Sequence, residues 1–347
     1  MSGTEIVGLS VVMLAGIFSG GFAAPIKVMK RFGYPHWALL SQLTALIILP
    51  WTAILFLCPD AFGAYTTIPV MTLVKANLFS FAWGLANVLC GLCLVRIGFS
   101  LTIGLLSGIG LPIGVLLPLF FKGSGKFSEA PSLASTSGQC IMMGVLVLLV
   151  AVVVMARAGF GRDRAMAGQG CTGKGFTMGF AMAVLAGMLQ VGLSFAFVYT
   201  QAPISAALEV RGASPVAANM GVWAVTLLGG ALPNLAYPVW LLVRERSWGI
   251  FAEAPREILL SLLIGLIFFM ALLFMGTGMK QMGALGASVG FGVYQAMQLA
   301  ASQAVGIFSG EWRGIVGKPW FQMVASVGLI LVAVAIFAVA NVLQHGG

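Results

Sequence analysis

The sequence predicts an all-α integral membrane protein with ten transmembrane helices, and three observations lead to this fold class. The 347 residues are 60% hydrophobic and only 8% charged, with a mean hydropathy of +1.05, whereas about 25% of residues are charged in soluble domains. The charges are unevenly spaced, so that ten stretches of at least 20 residues carry none. About 20 apolar residues span a bilayer as a helix, whereas membrane barrels use alternating strands of about 10 residues.

The ten stretches follow one another along the chain, and each predicts one helix. Predicted helices 1 to 10 are residues 6–26, 32–59, 76–95, 97–121, 130–156, 175–208, 212–243, 258–279, 281–310 and 319–344. The first stretch has the position of a signal peptide, but no Lys or Arg precedes it in MSGTEIVG, as a signal peptide requires. We therefore expect it to be the first membrane helix.

The positive charges predict the orientation of the chain. The connections after predicted helices 1, 3, 5, 7 and 9 hold thirteen of the 18 Lys and Arg residues, and the other connections hold five. Cytoplasmic loops carry an excess of Lys and Arg. The pattern predicts that the first connection lies in the cytoplasm and that both termini lie outside, and it explains the net charge of +9 without nucleic acid.

An internal duplication is predicted by the arrangement of these helices. Residues 1–157 form a first five-helix repeat, 158–174 a basic cytoplasmic linker and 175–347 a second repeat. An odd number of helices per repeat inverts the second copy in the membrane, as in many secondary transporters. Short similarities favour this, such as LAGIFSGGFAA from Leu14 and LAGMLQVGLSFA from Leu185. Small residues four apart, such as Gly16 and Gly20, predict close helix contacts.

Polar side chains recur at helical spacing on several predicted helices. Ser80, Trp83, Gly84, Asn87 and Gly91 share one face of predicted helix 3. Further candidates are Asn219, Trp223, Gly230 and Asn234 on predicted helix 7, Tyr294, Gln295, Gln298 and Ser302 on helix 9, Gln190 and Ser194 on helix 6, and Gln42 on helix 2. An unpaired amide in hydrocarbon costs about 2–7 kcal/mol, so each must meet either a neighbouring helix or a ligand.

The chemistry of these side chains favours a sugar. Amides and hydroxyls bind sugar hydroxyls, and an aromatic ring covers the C–H face. We therefore expect Trp83, Asn87, Trp223, Asn234 and the helix 9 glutamines to line one shared cavity. Hydrogen bonds between helices, worth about 1 kcal/mol each, are the alternative.

Ionisable residues are absent from the middle of every stretch, although proton-coupled carriers usually keep one in their pathway. The candidates for proton coupling are therefore Glu311, which ends predicted helix 9, Glu209, which ends helix 6, and Glu5 at the start of helix 1, with Glu311 the first choice. No nucleotide-binding loop, hydrolase motif or cluster of metal ligands is found in the sequence. We expect no enzyme, no cofactor and no metal site, with Cys90 and Cys93 as packing residues.

Several segments resemble the L-rhamnose–proton symporter (RhaT) family of the drug/metabolite transporter superfamily. They are GIFSGGFAAPIKVMKRFGYPHWALLSQLTALIILPW (16–51), WGLANVLCGL (83–92), SFAFVYTQAPISAALEVRGASP (194–215), LLGGALPNLAYP (227–238) and GEW (310–312). The resemblance covers nearly the whole chain and implies a ten-helix carrier with an inverted 5+5 repeat that imports a 6-deoxyhexose with protons. Trp83, Gly84, Asn87 and Asn234 match the family pattern. GASVGFGVYQAM (286–297) departs from its acidic and histidine positions.

The predicted function is import of an L-rhamnose-like monosaccharide by alternating access, by a monomer or weak dimer in membrane lipid. One alternative is a metabolite or drug exporter or facilitator of the same superfamily, for which an apolar cavity lined by carboxylates is expected. The other is a membrane sensor or subunit that transports nothing and has no ligand-sized cavity.

Overall fold

The computed structural model describes residues 3–22, 24–97, 99–120, 132–167 and 174–345, and regular structure in these ranges is helical throughout. The helices are α1 (Gly3–Gly21), α2 (Tyr34–Leu43), α3 (Leu49–Leu57), α4 (Ala61–Thr66), α5 (Val70–Ile97), α6 (Phe99–Phe120), α7 (Thr136–Ala167), α8 (Lys174–Leu189), α9 (Gly192–Val210), α10 (Pro215–Thr226), α11 (Leu228–Glu245), α12 (Ile250–Glu253), α13 (Pro255–Gln281), α14 (Phe291–Phe308) and α15 (Lys318–His345). Single π-helical turns join α2 to α3 and lead into α14.

The all-helical membrane class is confirmed. Among the described residues, seven helical segments are long and apolar enough to cross a membrane, or eight if α10 and α11 form one span with a bend of 53°. In α6 the apolar stretch is shorter, Leu105–Leu117. Helix α14 is outside this set, and it carries three glutamines, Gln295, Gln298 and Gln303, which lower its mean hydropathy. The count of ten spans therefore stays a prediction.

Two predicted helices are broken, and one extends further than predicted. Predicted helix 6 is divided into α8 and α9 around Gln190, and predicted helix 7 into α10 and α11 at Leu227. In α11, Pro233 lacks the N–H that would bond to the carbonyl of Gly229, which weakens the first turn after the break. Helix α7 continues to Ala167, so residues 158–167 of the predicted linker are helical, and residues 168–173 lie outside the described ranges.

The chain divides into two compact units. Unit 1 contains Met1–Gly20, Leu89–Val191 and Gly278–Gly347, and unit 2 contains Gly21–Val88 and Gly192–Thr277. Each unit therefore takes segments from both predicted repeats. The repeats themselves stay a prediction about duplication of the sequence.

In unit 1, glycines bring helices into close contact. An added Cβ at Gly16 would lie 2.6 Å from the carbonyl oxygen of Tyr294, and one at Gly20 would contact that of Gln298. The residue numbers at the contact increase together along both helices, so α1 and α14 run parallel. Helices α7 and α15 run antiparallel, because Ser137 donates to the carbonyl of Ala340 at 2.8 Å while Gly161 packs on Pro319.

In unit 2, polar contacts join connections at both ends of the helices. At one end Arg31 pairs with Glu253 at 2.6 Å, and the ring Nε2 of His36 lies 3.0 Å from the carbonyl of Ser247. At the other end Arg211 pairs with Asp60 at 2.6 Å. These contacts fix which connections of unit 2 meet.

Candidate functional site

Helices α5 and α11 of unit 2 approach closely at Gly84. An added Cβ at this position would contact the carbonyl oxygen of Gly230 and would lie 2.6 Å from Cγ of Pro233. Small residues allow such approaches of two helix backbones in a membrane. The polar face predicted on α5 therefore packs on the start of α11, directly after the break at Leu227.

The break exposes backbone N–H groups, and side chains of α5 accept their hydrogen bonds. The N–H of Gly229 donates to Oδ1 of Asn77 at 2.7 Å, and the N–H of Gly230 donates to Oγ of Ser80 at 3.0 Å. The first N–H groups of a helix have no partner within it, and in a bilayer neighbouring helices must supply one. Ser80 thus has a partner in the protein. Sequence analysis missed Asn77, although it lies three residues before Ser80 and extends the predicted polar face by one turn.

Trp83 and Asn87 lie one helical turn apart on α5 and differ in their surroundings. Trp83 is 6% exposed and stacks on Phe268 with ring centroids 6.2 Å apart and planes at 7°. Asn87 is half-buried. Its side-chain amide makes no hydrogen bond within the part of the chain that the structure describes. In this respect Asn87 differs from Asn77, whose amide is bonded within the protein.

Asn234 lies on α11 beside this face and is buried. Its Nδ2 donates to the carbonyl of Gly230 at 2.9 Å, within the same helix. This bond leaves the Oδ1 atom of Asn234 with no donor among the described residues. One acceptor of Asn234 is thus available close to the α5 contact.

Asn219 and Trp223 lie on α10, on the other side of the break. Both hydrogens of the Asn219 amide are used, one by the carbonyl of Leu273 at 3.0 Å and the other by Oγ1 of Thr277 at 2.7 Å. Trp223 is fully buried and stacks on Phe197 at 4.6 Å. Because the bend interrupts predicted helix 7, these two residues do not continue the face that bears Asn234.

In unit 1, the candidates of α14 converge on a serine of α1. The hydroxyl of Tyr294 donates to Oγ of Ser19 at 2.8 Å, and Nε2 of Gln298 donates to the same oxygen at 2.9 Å. Gln295 is buried, and its amide has no hydrogen bond to a residue of the described ranges. Ser302 donates to the carbonyl of Leu299 at 2.8 Å.

The secondary candidates are divided in the same way. Gln190 of unit 1 donates to the carbonyl of Leu106 at 2.7 Å, across from α8 to α6. In unit 2, Ser194 is buried, and Oε1 of Gln42 is buried without a partner in the described part of the molecule. The single cavity predicted for all candidates stays a prediction, since its members belong to both units.

Comparison with known proteins identifies the family. A family model described as L-rhamnose-proton symport protein (RhaT) matches residues 1–345. The chain belongs to this family. Relatives named L-rhamnose-proton symporter are 26% identical over 355 residues in Citrobacter koseri and in Shigella sonnei, and 27% identical over 356 residues in Cronobacter sakazakii. Each alignment covers 100% of this chain and 99% of the relative.

As a member of the RhaT symport family, the protein is a transporter and not an enzyme. Its predicted coupling carboxylates have different surroundings. Glu311 pairs with Arg162 at 2.9 Å, with side chains 28% and 11% exposed, and the Arg162 guanidinium lies 5.4 Å from the ring centre of Trp312. Glu209 is exposed at the end of α9. Neither arrangement tests a role in proton transfer, which stays a prediction for this RhaT member.

Sequence analysis did not single out the carboxylate of Glu257. Glu257 is 7% exposed, and its two oxygens accept hydrogen bonds of 2.6–3.1 Å from the backbone N–H groups of Lys30, Arg31 and Phe32. The signal in the sequence is an acidic residue in the first turn of a helix that begins with proline, at Pro255. Glu257 fixes the connection after α1 to the start of α13.

Proposed function

We propose that this protein imports a 6-deoxyhexose of the L-rhamnose type, together with protons, across the bacterial inner membrane by alternating access. Membership in the RhaT family and the names of its full-length relatives support the substrate class and the coupling ion. The bacterial origin of those relatives supports a location in the bacterial inner membrane.

One observation supports sugar binding most directly: Asn87 has an amide without a partner in the described protein. A half-buried amide in the apolar part of a membrane is costly unless a ligand or water bonds to it. Trp83, one turn away, provides an aromatic ring, and Asn234 provides a free acceptor. We propose that these three residues of unit 2 contact the sugar. Asn219 and Trp223 have structural roles in this proposal.

Ion pairs between connections support the assignment of ten spans. The ion pair of Arg31 with Glu253 joins the connections after predicted helices 1 and 7, and that of Arg162 with Glu311 joins those after helices 5 and 9. Two connections share one side of a membrane only when an even number of spans separates them. The ten-helix assignment gives six and four spans. Removing α14 alone from the set would place Arg162 and Glu311 on opposite sides.

An inverted repeat is supported by the helix pairs that pack within each unit. Exchange of the two repeats pairs predicted helix 1 with 6, 2 with 7, 3 with 8 and 4 with 9. Under this correspondence the α1–α14 pair (predicted helices 1 and 9) is equivalent to the α8–α6 pair (predicted helices 6 and 4). In the α8–α6 pair, an added Cβ at Gly187 would lie 2.9 Å from Ile109. Likewise, the α5–α11 pair at Gly84 (predicted helices 3 and 7) is equivalent to the α13–α2 pair (predicted helices 8 and 2). In the α13–α2 pair, an added Cβ at Gly265 would lie 2.7 Å from the carbonyl oxygen of Ser41. A glycine lies at every one of these contacts.

We propose that both termini lie in the periplasm, and the excess of Lys and Arg in the connections after predicted helices 1, 3, 5, 7 and 9 supports this orientation. A reporter fused after Asn341 that is active only in the cytoplasm would refute the orientation while leaving the transport proposal intact.

The test of the binding site compares two asparagines. Asn87→Ala removes an amide that has no partner in the described protein, so sugar affinity should fall by about 5- to 150-fold, which corresponds to about 1–3 kcal/mol, with little change in stability. Asn219→Ala is the matched control, because it breaks two interhelical bonds and should lower stability while leaving the sugar affinity of the folded protein unchanged. Binding of radiolabelled L-rhamnose to purified protein and uptake into proteoliposomes provide the measurements. Equal affinities for Asn87→Ala and wild type would remove the basis of the site.

Proton coupling is tested by the pH change that sugar induces in vesicles. Symport predicts alkalinisation of the external medium during uptake by the wild type. If Glu311 carries the proton, Glu311→Gln abolishes the alkalinisation, whereas an unaltered signal in this variant excludes it. Uptake by the wild type without any alkalinisation would leave a uniporter.

A further inference from the structure

A basic cleft of about 580 Å³ lies at one end of unit 1, and none of its lining residues is among those proposed to bind sugar. It is formed between the C-terminal part of α7 and the first turns of α15. Its lining consists of Arg157, Phe160, Gly161, Lys318, Pro319 and Gln322. Gly161 allows the approach of the two helices, since an added Cβ there would lie 2.7 Å from Cγ of Pro319.

This cleft carries two exposed positive charges. Arg157 and Lys318 are both exposed, and neither forms an ion pair with a residue of the described chain. Arg162, one turn further along α7, differs because Glu311 neutralises it at 2.9 Å. The cleft therefore offers two cations beside the ring of Phe160, which is the combination that a ligand with a negative head and an apolar body requires.

The cleft lies where a membrane changes from hydrocarbon to head groups. The apolar segment of α7 ends at Arg162, and that of α15 begins at Lys318. Between the lining residues Pro319 and Gln322, Trp320 is partly exposed and Phe321 is largely exposed. Aromatic residues at this level are typical of the membrane interface. By the charge distribution, this end of the helices faces the cytoplasm, where anionic lipids attract basic segments.

We infer that this cleft binds the phosphate group of an anionic phospholipid, with an acyl chain along Phe160. Arg157 and Lys318 bind the phosphodiester oxygens, and Gln322 lies within the same lining to donate to the glycerol part. Basic pockets between helices on the cytoplasmic side are general lipid head-group sites. The inference does not depend on the proposed sugar or on proton coupling.

The experiment measures thermal stability of the purified full-length protein in a neutral detergent while lipid is added. Phosphatidylglycerol should stabilise the wild type saturably, and phosphatidylcholine with the same acyl chains should not. In the double variant Arg157→Gln, Lys318→Gln, the half-saturating concentration of phosphatidylglycerol should rise by at least fivefold. Arg256→Gln is the matched control, because Arg256 is an exposed cation in the first turn of α13 outside the cleft, and it should respond as the wild type does.

The variant Arg157→Lys, Lys318→Arg changes the same two positions but keeps both positive charges. It should retain the response to phosphatidylglycerol, which shows that substitution at these positions does not itself misfold the protein. The inference is overturned if both lipids stabilise equally, if the double variant keeps the wild-type response, or if Arg256→Gln loses as much. Inorganic phosphate that competes with phosphatidylglycerol at equal concentration would also overturn it, because the cleft would then be a site for a free anion.

Discussion

The contact between α5 and α11 predicts a large effect of one methyl group at Gly84. In Gly84→Ala the new Cβ would contact the carbonyl oxygen of Gly230 and lie 2.6 Å from Cγ of Pro233 and 2.9 Å from Cα of Gly230. Ordinary contacts between carbon atoms are about 3.5–4.0 Å. Two of these three atoms belong to the backbone, so a side-chain rotation cannot relieve the overlap, and the helices must separate by about 1 Å.

The expected cost has two parts. Overpacking of a tight contact costs about 1–3 kcal/mol. Separation of the helices also lengthens the bond from the N–H of Gly230 to Oγ of Ser80, which is 3.0 Å in the native contact and is worth about 1 kcal/mol. The free energy of unfolding should therefore fall by about 2–4 kcal/mol, which is about 30- to 700-fold in the unfolding equilibrium.

The thiols of Cys58 and Cys93 are buried, so their reaction with a fluorescent maleimide reports unfolding as denaturing detergent is added. Gly328→Ala is the matched control, because no described atom lies within 4 Å of a Cβ added to this glycine of α15. It should be neutral or stabilise by up to about 1 kcal/mol through helix propensity. If Gly84→Ala and Gly328→Ala unfold at the same detergent concentration, the close approach of α5 and α11 is refuted.

Two further predictions concern polar side chains that complete the backbone bonding of unit 2. Ser80→Ala leaves the N–H of Gly230 without an acceptor and should destabilise the protein by about 1–3 kcal/mol in the same unfolding assay. Ser80→Thr keeps the oxygen and should lose less stability. Equal stability of Ser80→Ala and wild type would contradict the role of the hydroxyl. Glu257→Gln replaces an oxygen that accepts backbone N–H groups by an NH₂ group, and the loss of charge-assisted bonds should cost about 1.5–3 kcal/mol. Glu253→Gln is its control, because Glu253 forms an exposed ion pair with Arg31, and its loss should cost less than about 1 kcal/mol.

The membrane class was predictable from the sequence because the contrast between apolar stretches and charged connections is large and local. The face of α5 was also predictable, since Ser80, Trp83 and Gly84 are all buried as their spacing indicates. The break of predicted helix 7 was not predictable. The acceptors that make it tolerable, Asn77 and Ser80, lie about 150 residues earlier in the chain, and a hydropathy pattern carries no information about that pairing.

The roles of individual amides were predictable only in part. Asn87 and Asn219 have the same chemistry and both lie in apolar stretches, yet the amide of Asn219 is used by Leu273 and Thr277 while that of Asn87 has no partner in the described chain. Only the tertiary arrangement distinguishes them. Likewise, Glu257 has the sequence signature of a charge at a helix end, and the connection it binds is distant in sequence.

The pairing of Asn77 and Ser80 with the break at Leu227 has a consequence for biosynthesis. The bonds from Gly229 and Gly230 span 152 and 150 residues, so at about 5–20 residues per second the acceptors enter the membrane about 8–30 s before their donors. During that time Nδ2 of Asn77 already has its own partner, the carbonyl of Leu73 at 3.0 Å, and a serine hydroxyl bonds readily to its own helix. When α11 is synthesised, the acceptors for its two bare N–H groups are therefore already in place. In a circularly permuted chain beginning at Pro215, the broken helix would enter lipid first, with those N–H groups unpaired until α5 was made.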